Sequence, residues 1–212
     1  MNKISEYLKL IVGVLFILIP VAFLIKANFG LAAFDMYLLN TSQTTGIKYG
    51  TVNIITGIFL VIVQFFIVKK FEIKRFIQVL FITLPSLFFN FFFYTVLENF
   101  NPENLLFRIV LFVVMDILMA LGIAILTRIK VVVFPLETTM VEAKKAFKVR
   151  IGIIKYVMDF IFISIGVSLF FIFDLENINV GIGTVVLVLT QGSLVMMWNK
   201  LIDATKFSQK NH

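Results

Sequence analysis

Long apolar runs broken by short polar joints dominate the chain. A bilayer core of about 30 Å is crossed by roughly 20 apolar residues in helical form. Six runs meet that length approximately: Leu8–Ile25, Tyr49–Val68, Phe76–Val96, Leu106–Ile129, Ile151–Phe173 and Gly183–Trp198. The pattern predicts six membrane-spanning helices, the last of them short. The first run exceeds a signal-peptide core and continues into "IKANFGLAAF" without a small-x-small cleavage site, so it reads as a retained span. Two connections are too apolar to be ordinary loops: "GLAAFDMYLLNTSQTTG" (Gly30–Gly46) and "VVVFPLETTMVEAKKAFK" (Val131–Lys148). Apolar stretches shorter than a span are re-entrant or interfacial more often than spanning. In the second, Pro135 suits a first helical turn, whereas Thr139-x-x-Glu142 offers a capping box for a slightly later start.

These two segments are related. Each follows the first span of a half, carries an acid near its start (Asp35, Glu137) and precedes a span opening Ile-Lys-Tyr-Gly or Val-Arg-Ile-Gly. Sliding the chain by 102 residues lays Asp35 on Glu137, Lys48 on Arg150 and Gly50 on Gly152. The expectation is one integral membrane domain over 1–212, built from repeats 8–96 and 106–198 with a cytoplasmic tail over 199–212. Three spans per half is an odd number, so the halves enter the bilayer from opposite sides. The fold class expected is therefore all-α, with six transmembrane helices in two inverted-topology repeats of three, each carrying a short re-entrant or interfacial helix after its first span. Secondary transporters are commonly built this way, with their sites near midplane at the repeat interface.

Charge placement sets the orientation. Fifteen of the nineteen bases lie before the first span or at its start, between spans two and three, between four and five, or after six. Lys26, Lys48 and Arg108 alone lie on the other side, and Lys155 falls within a span. By the positive-inside rule both termini are cytoplasmic and the protein sits in the cell membrane.

Composition agrees. The chain is 60% hydrophobic and 15% charged, against about 25% charged in soluble domains, and its mean hydropathy is +1.04. The net charge of +7 invites a nucleic-acid reading. The bases punctuate apolar runs and form no basic face, so nucleic acid is excluded and the lipid bilayer is the expected partner. No cysteine is present, which removes thiol chemistry and Cys-ligated metals. The only histidine, His212, is the last residue. No cofactor and no metal site are expected. The 26 phenylalanines fit a lipid-facing surface, and Trp198 reads as an interfacial belt residue.

Ionisable groups inside spans carry the candidate chemistry. Lys155 lies about 6–8 Å inside one end of span five at 1.5 Å per residue, with Asp159 about 6 Å deeper and Asp116 about 15 Å into span four. A charge at a helix centre costs about 2.5–3.5 kcal/mol. Lys155 and Asp159 are i, i+4 neighbours, and Asp116 completes a candidate intramembrane cluster. Two readings stand: an ion pair locking spans four and five, with Lys155 snorkelling outward, or a proton- or cation-sensitive site contacting a charged substrate. Asp35 and Glu137 serve either the dipole of a first helical turn or a central cavity. Asn53, Gln64, Asn90 and Gln191 are candidate polar lining, equally suited to interhelical hydrogen bonds. Gly181-x-Gly183-Thr184 reads as a tight turn into span six or a ligand loop.

At these positions the chain resembles the YczE/YyaS/YitT family of bacterial integral membrane proteins. Gly30, Leu31 and Asp35 match its Gly-Leu-Gly-x-x-Asp element. Thr45, Gly46, Gly50 and Thr51 match Thr-Gly-x-x-x-Gly-Thr, and Gly181, Gly183 and Thr184 match Gly-x-Gly-Thr. Pro135, Glu137, Lys155 and Asp159 stand where that family carries Pro-Arg-Asp and then a base and an acid four apart, the last three with changed chemistry. Ala33 and Val132 replace expected glycines, and "FEIKRFIQVLFI" lacks the first-half Gly-x-Gly-Thr. The resemblance implies a multi-pass, permease-like protein without an established shared activity.

Three functions compete. The first is a small secondary transporter of a small molecule or ion. The second is a non-transporting binding or assembly subunit of a membrane complex, although "LKLIVGVLFILIPVAFLIK" lacks an Ala-x-x-x-Ala docking signature. The third, an intramembrane enzyme, finds no His-Glu-x-x-His, Gly-x-Ser-x-Gly or Walker motif. A homodimer is compatible with either of the first two.

Overall fold

The computed structural model describes residues 3–69, 73–129, 134–176 and 178–210. Lys70, Lys130, Val132 and His212, used above for orientation, motif and composition, lie outside the described residues, as do the side chains of Lys3, Lys74, Lys206 and Lys210. Among the described residues all regular structure is helical: α1 (Lys3–Ala27), α2 (Ala33–Thr45), α3 (Tyr49–Val68), α4 (Lys74–Phe91, running into a π-helical turn Phe92–Val96), α5 (Leu105–Leu126), α6 (Pro135–Phe147), α7 (Ile151–Phe173) and α8 (Ile182–Lys210).

Six of these helices are long and apolar enough to cross a bilayer: residues 6–27, 49–68, 75–96, 105–126, 151–173 and 182–204. The chain is a multi-pass helical membrane protein. Its helices show why this sequence starts and stops where it does. Asn104 caps α5 by accepting the Phe107 N–H at 3.1 Å. Pro135 opens α6, where its missing N–H costs nothing. The capping box expected at Thr139-x-x-Glu142 is not used, because Pro135 starts the helix a full turn earlier and leaves both residues inside it. Apolar span six extends into the polar sequence after Trp198, so α8 continues to Lys210.

Several elements share one spacing along the chain. α1 and α5, α2 and α6, and α3 and α7 start 102 residues apart, and α2 and α6 have 13 residues each. Left-handed backbone ends both short helices at equivalent positions, Gly46 (φ 70°) and Lys148 (φ 54°).

The helices form two compact units that cut across the repeats. Unit 1 holds α1, α5 and α8, and unit 2 holds the rest. In unit 1, α1 and α5 run antiparallel. Gly13 of α1 meets Leu126 at the far end of α5, while Arg108 near the start of α5 donates to the Ala27 carbonyl at the end of α1 at 2.8 Å. A Cβ on Gly122 would sit 2.8 Å from the Gly13 and Phe16 carbonyls, so glycine permits this close approach. α8 packs on the other side of α5. In unit 2, α2 packs on α7, α3 packs on α6, and α4 lies on α3.

Candidate functional site

Unit 1 holds the most enclosed acid within a span. Asp116 stands near the middle of α5 and is 4% exposed. Thr190 Oγ1 on α8 lies 2.7 Å from Asp116 Oδ2, and Gln191 Nε2 donates to Asp116 Oδ1 and, at 3.2 Å, to the Asp116 carbonyl. Thr190 Oγ1 also lies 2.8 Å from the Val186 carbonyl of its own helix. One hydroxyl hydrogen therefore faces two acceptors. Gln191 Oε1 is buried without a partner. Lower in the same seam Trp198 Nε1 donates to the Ile117 carbonyl at 3.1 Å, so the indole expected to face the interface is tied to α5. Arg128 then joins the helices at their end, at 2.8 Å to Asn199 Oδ1 and 2.7 Å to Asp203 Oδ1.

Lys155 and Asp159 form the expected pair, Nζ to Oδ2 at 2.6 Å. Their side chains are 62% and 32% exposed and lie on α7 in unit 2. The three expected cluster members thus divide between the units: the pair on α7, and Asp116 with α8 donors of its own.

The short-helix acids also differ from each other. Asp35, in the first turn of α2, accepts the Tyr49 hydroxyl at 2.6 Å. Packing around its carboxyl raises its pKa above the ordinary value, and the Tyr49 hydrogen bond lowers it part of the way back. Tyr49 stacks on Phe89, centroids 4.5 Å apart, and its backbone N–H bonds the Tyr94 hydroxyl at 3.0 Å. Tyr94 sits in the π-helical turn ending α4, which aims its hydroxyl also at Ser42 Oγ, 3.2 Å away. Glu137, at the equivalent position of α6, is exposed.

The four amides join helices. Asn90 Oδ1 accepts the Gly50 N–H at 2.8 Å, and its Nδ2 reaches Thr51 Oγ1 at 3.1 Å. Asn53 donates to Ser86 Oγ at 3.1 Å and leaves Oδ1 buried and unpartnered. Gln64, fully buried, donates to Gln78 Oε1, the Pro135 carbonyl and Thr139 Oγ1 at 3.0, 3.1 and 3.1 Å. Gln191 serves Asp116. Gly181-x-Gly183-Thr184 is a turn held by backbone: the Gly183 N–H donates to the Phe29 carbonyl at 2.8 Å, and a Cβ on Gly30 would meet Gly181 N at 2.6 Å.

Sequence reasoning passed over a further cluster in unit 2. Arg75 in the first turn of α4 is 4% exposed. It reaches Glu142 of α6 through Nη2 alone, 3.5 Å from Oε1. Gln78 and Thr139 lie one turn further along the same two helices. Asn40, likewise unmarked, is fully buried and donates to the Gly166 carbonyl of α7 at 2.9 Å.

Among known families, a family model described as "Family of unknown function (DUF6198)" matches residues 4–200. No curated protein and no solved structure matches the chain.

Proposed function

The chain belongs to the DUF6198 family, whose function is unknown, and we propose that it is a permease-like secondary transporter of a small solute, with Asp116 as its proton-carrying group. The observation that carries this reading is the shared hydroxyl of Thr190. With a proton on Oδ2, the carboxyl donates to Thr190 and Thr190 donates to the Val186 carbonyl. Without it, Thr190 turns its one hydrogen to the carboxylate and Val186 keeps only its helical partner. Both arrangements are hydrogen-bonded and differ by the rotation of one hydroxyl, with Gln191 holding the second oxygen throughout. Among the described residues no base forms an ion pair with Asp116. Membrane-embedded acids of this kind mark proton relays and ion paths.

The antiparallel α1–α5 pair and the exchanged pairs α2–α7 and α3–α6 support two halves of opposite topology, the arrangement on which alternating access rests. The motifs shared with YczE/YyaS/YitT proteins point to the same permease-like class. In this reading both termini are cytoplasmic and the protein lies in the cell membrane. The test is purified protein in liposomes loaded with a pH-sensitive dye and screened against small solutes. Wild type gives solute-dependent proton movement, and Asp116→Asn, which preserves shape and folding, lowers it at least tenfold. Full proton movement in Asp116→Asn overturns the role of Asp116. Flux that requires an added ATPase complex overturns the transporter and identifies a binding subunit.

A further inference from the structure

We propose that unit 2 contains a second, independent binding site, in which Arg75 and Glu142 receive a small zwitterion: its oxyanion on Arg75 and its ammonium on Glu142. The pair leaves hydrogen bonds unmade. A charge-assisted N–H···O bond measures about 2.7–2.9 Å and an Arg–carboxylate pair is commonly bidentate. Here one nitrogen approaches one oxygen at 3.5 Å. Arg75 Nε and Nη1 and Glu142 Oε2 are all buried without a partner among the described residues. Buried charged groups in folded proteins are otherwise satisfied almost without exception.

Among the described residues, the polar neighbours one turn along α4 and α6 cannot supply the missing bonds. Gln78, one turn along α4 from Arg75, is locked to Gln64 by amide contacts at 3.0 and 3.3 Å. Thr139, one turn before Glu142, gives its hydroxyl hydrogen to the Pro135 carbonyl at 2.7 Å and accepts from Gln64. That rung is closed on itself. Two open donors and one open acceptor thus remain side by side on α4 and α6.

The guest's chemistry follows from the charges. A lone oxyanion suits the guanidinium fork but meets the Glu142 carboxylate beside it, and a lone cation meets Arg75. A molecule carrying both charges answers both and leaves the cluster neutral. Arg75 starts α4 just after the α3–α4 connection that bears Lys69 and Lys70. A base-rich helix end of this kind lies at headgroup level. Two sources therefore offer the same chemistry: the phosphoethanolamine headgroup of a phospholipid, or a free zwitterion such as an amino acid.

The experiment uses the full chain, first in nanodiscs of mixed phosphatidylethanolamine and phosphatidylglycerol, released for native mass spectrometry. Delipidated protein in detergent is then followed by thermal shift with O-phosphoethanolamine, glycine, inorganic phosphate and ethanolamine. The expected result is a retained phosphatidylethanolamine, or a shift with a free zwitterion at concentrations at least tenfold below those needed for phosphate or ethanolamine alone. Lipid retention without a free-ligand shift assigns the headgroup source, and the reverse assigns the solute. Glu142→Gln keeps the side-chain shape and should abolish the preference over phosphate, while Arg75→Gln/Glu142→Gln should lose binding of every probe. No retention and no shift means that water alone fills the gap, and overturns the proposal. Retained zwitterion preference in Glu142→Gln, or unchanged binding in the double variant, overturns it equally.

Discussion

Gly50 and Gly152 occupy equivalent places one residue inside α3 and α7, yet their surroundings differ completely. A Cβ on Gly50 would lie 2.2 Å from the Ser86 carbonyl of α4, while one on Gly152 meets nothing within 4 Å. Gly50→Ala therefore forces α3 and α4 apart and strains the Asn90 bond to the Gly50 N–H, at the scale of overpacking, about 1–3 kcal/mol. Gly152→Ala adds helix propensity and is neutral or stabilising by up to ~1 kcal/mol. Thermal unfolding in detergent separates them, and equal losses would contradict the account. At this scale the sequence was legible in part. Gly50 stood out because it recurs at the 102-residue spacing, but only the fold says which copy meets a neighbour. Arg75 and Glu142 were illegible for a plainer reason. They are 67 residues apart, and each had a sufficient local explanation, as an orienting base and as a capping-box acid.

At the scale of elements, the short helices α2 and α6 were readable as a pair because their apolar content is too high for loops and too brief for spans. Their partners were not readable, since pairing across repeats leaves no local trace. Residue 64 of α3 meets residue 139 of α6, and residue 166 of α7 meets residue 37 of α2. Both pairs are related by the same 102-residue offset, filled once by Gln64 with Thr139 and once by Gly166 with Tyr37. The acids of the two helices have diverged in the same way, one bonded to Tyr49 and one exposed. Asp35 has a folded pKa above its unfolded one, so its contribution to stability is present below the ordinary carboxylate range. That contribution is lost as pH rises through the raised value. Asp35→Asn keeps an acceptor for the Tyr49 hydroxyl and removes the buried charge. Its melting temperature should match wild type near pH 4 and exceed it toward about pH 8, beyond the unperturbed carboxylate range. A variant that loses stability at neutral pH would show that the charge itself is needed.

For the whole molecule, the decisive property is the sidedness of the repeat. An apolar pattern locates spans without saying which way they run, and the charge count assigns sides only if every span is real. The antiparallel α1–α5 pair bears on this from a different direction, because under the proposed duplication these first spans oppose one another only if the halves enter the membrane from opposite faces. The prediction is sharp at equivalent positions. Gln43 in α2 and Lys145 in α6 are both exposed and 102 residues apart. A duplication of parallel topology puts them on one side of the bilayer, and an inverted one puts them on opposite sides. Because the chain has no cysteine, single Gln43→Cys and Lys145→Cys variants need no background removed. A membrane-impermeant maleimide on intact cells should label Gln43→Cys, with Glu103→Cys as an outside reference. Lys145→Cys and Lys69→Cys should label only after the membrane is opened. Labelling of Gln43→Cys and Lys145→Cys from the same face would remove the inverted repeat and alternating access with it. The Arg75–Glu142 site would stand, since it needs only α4 and α6.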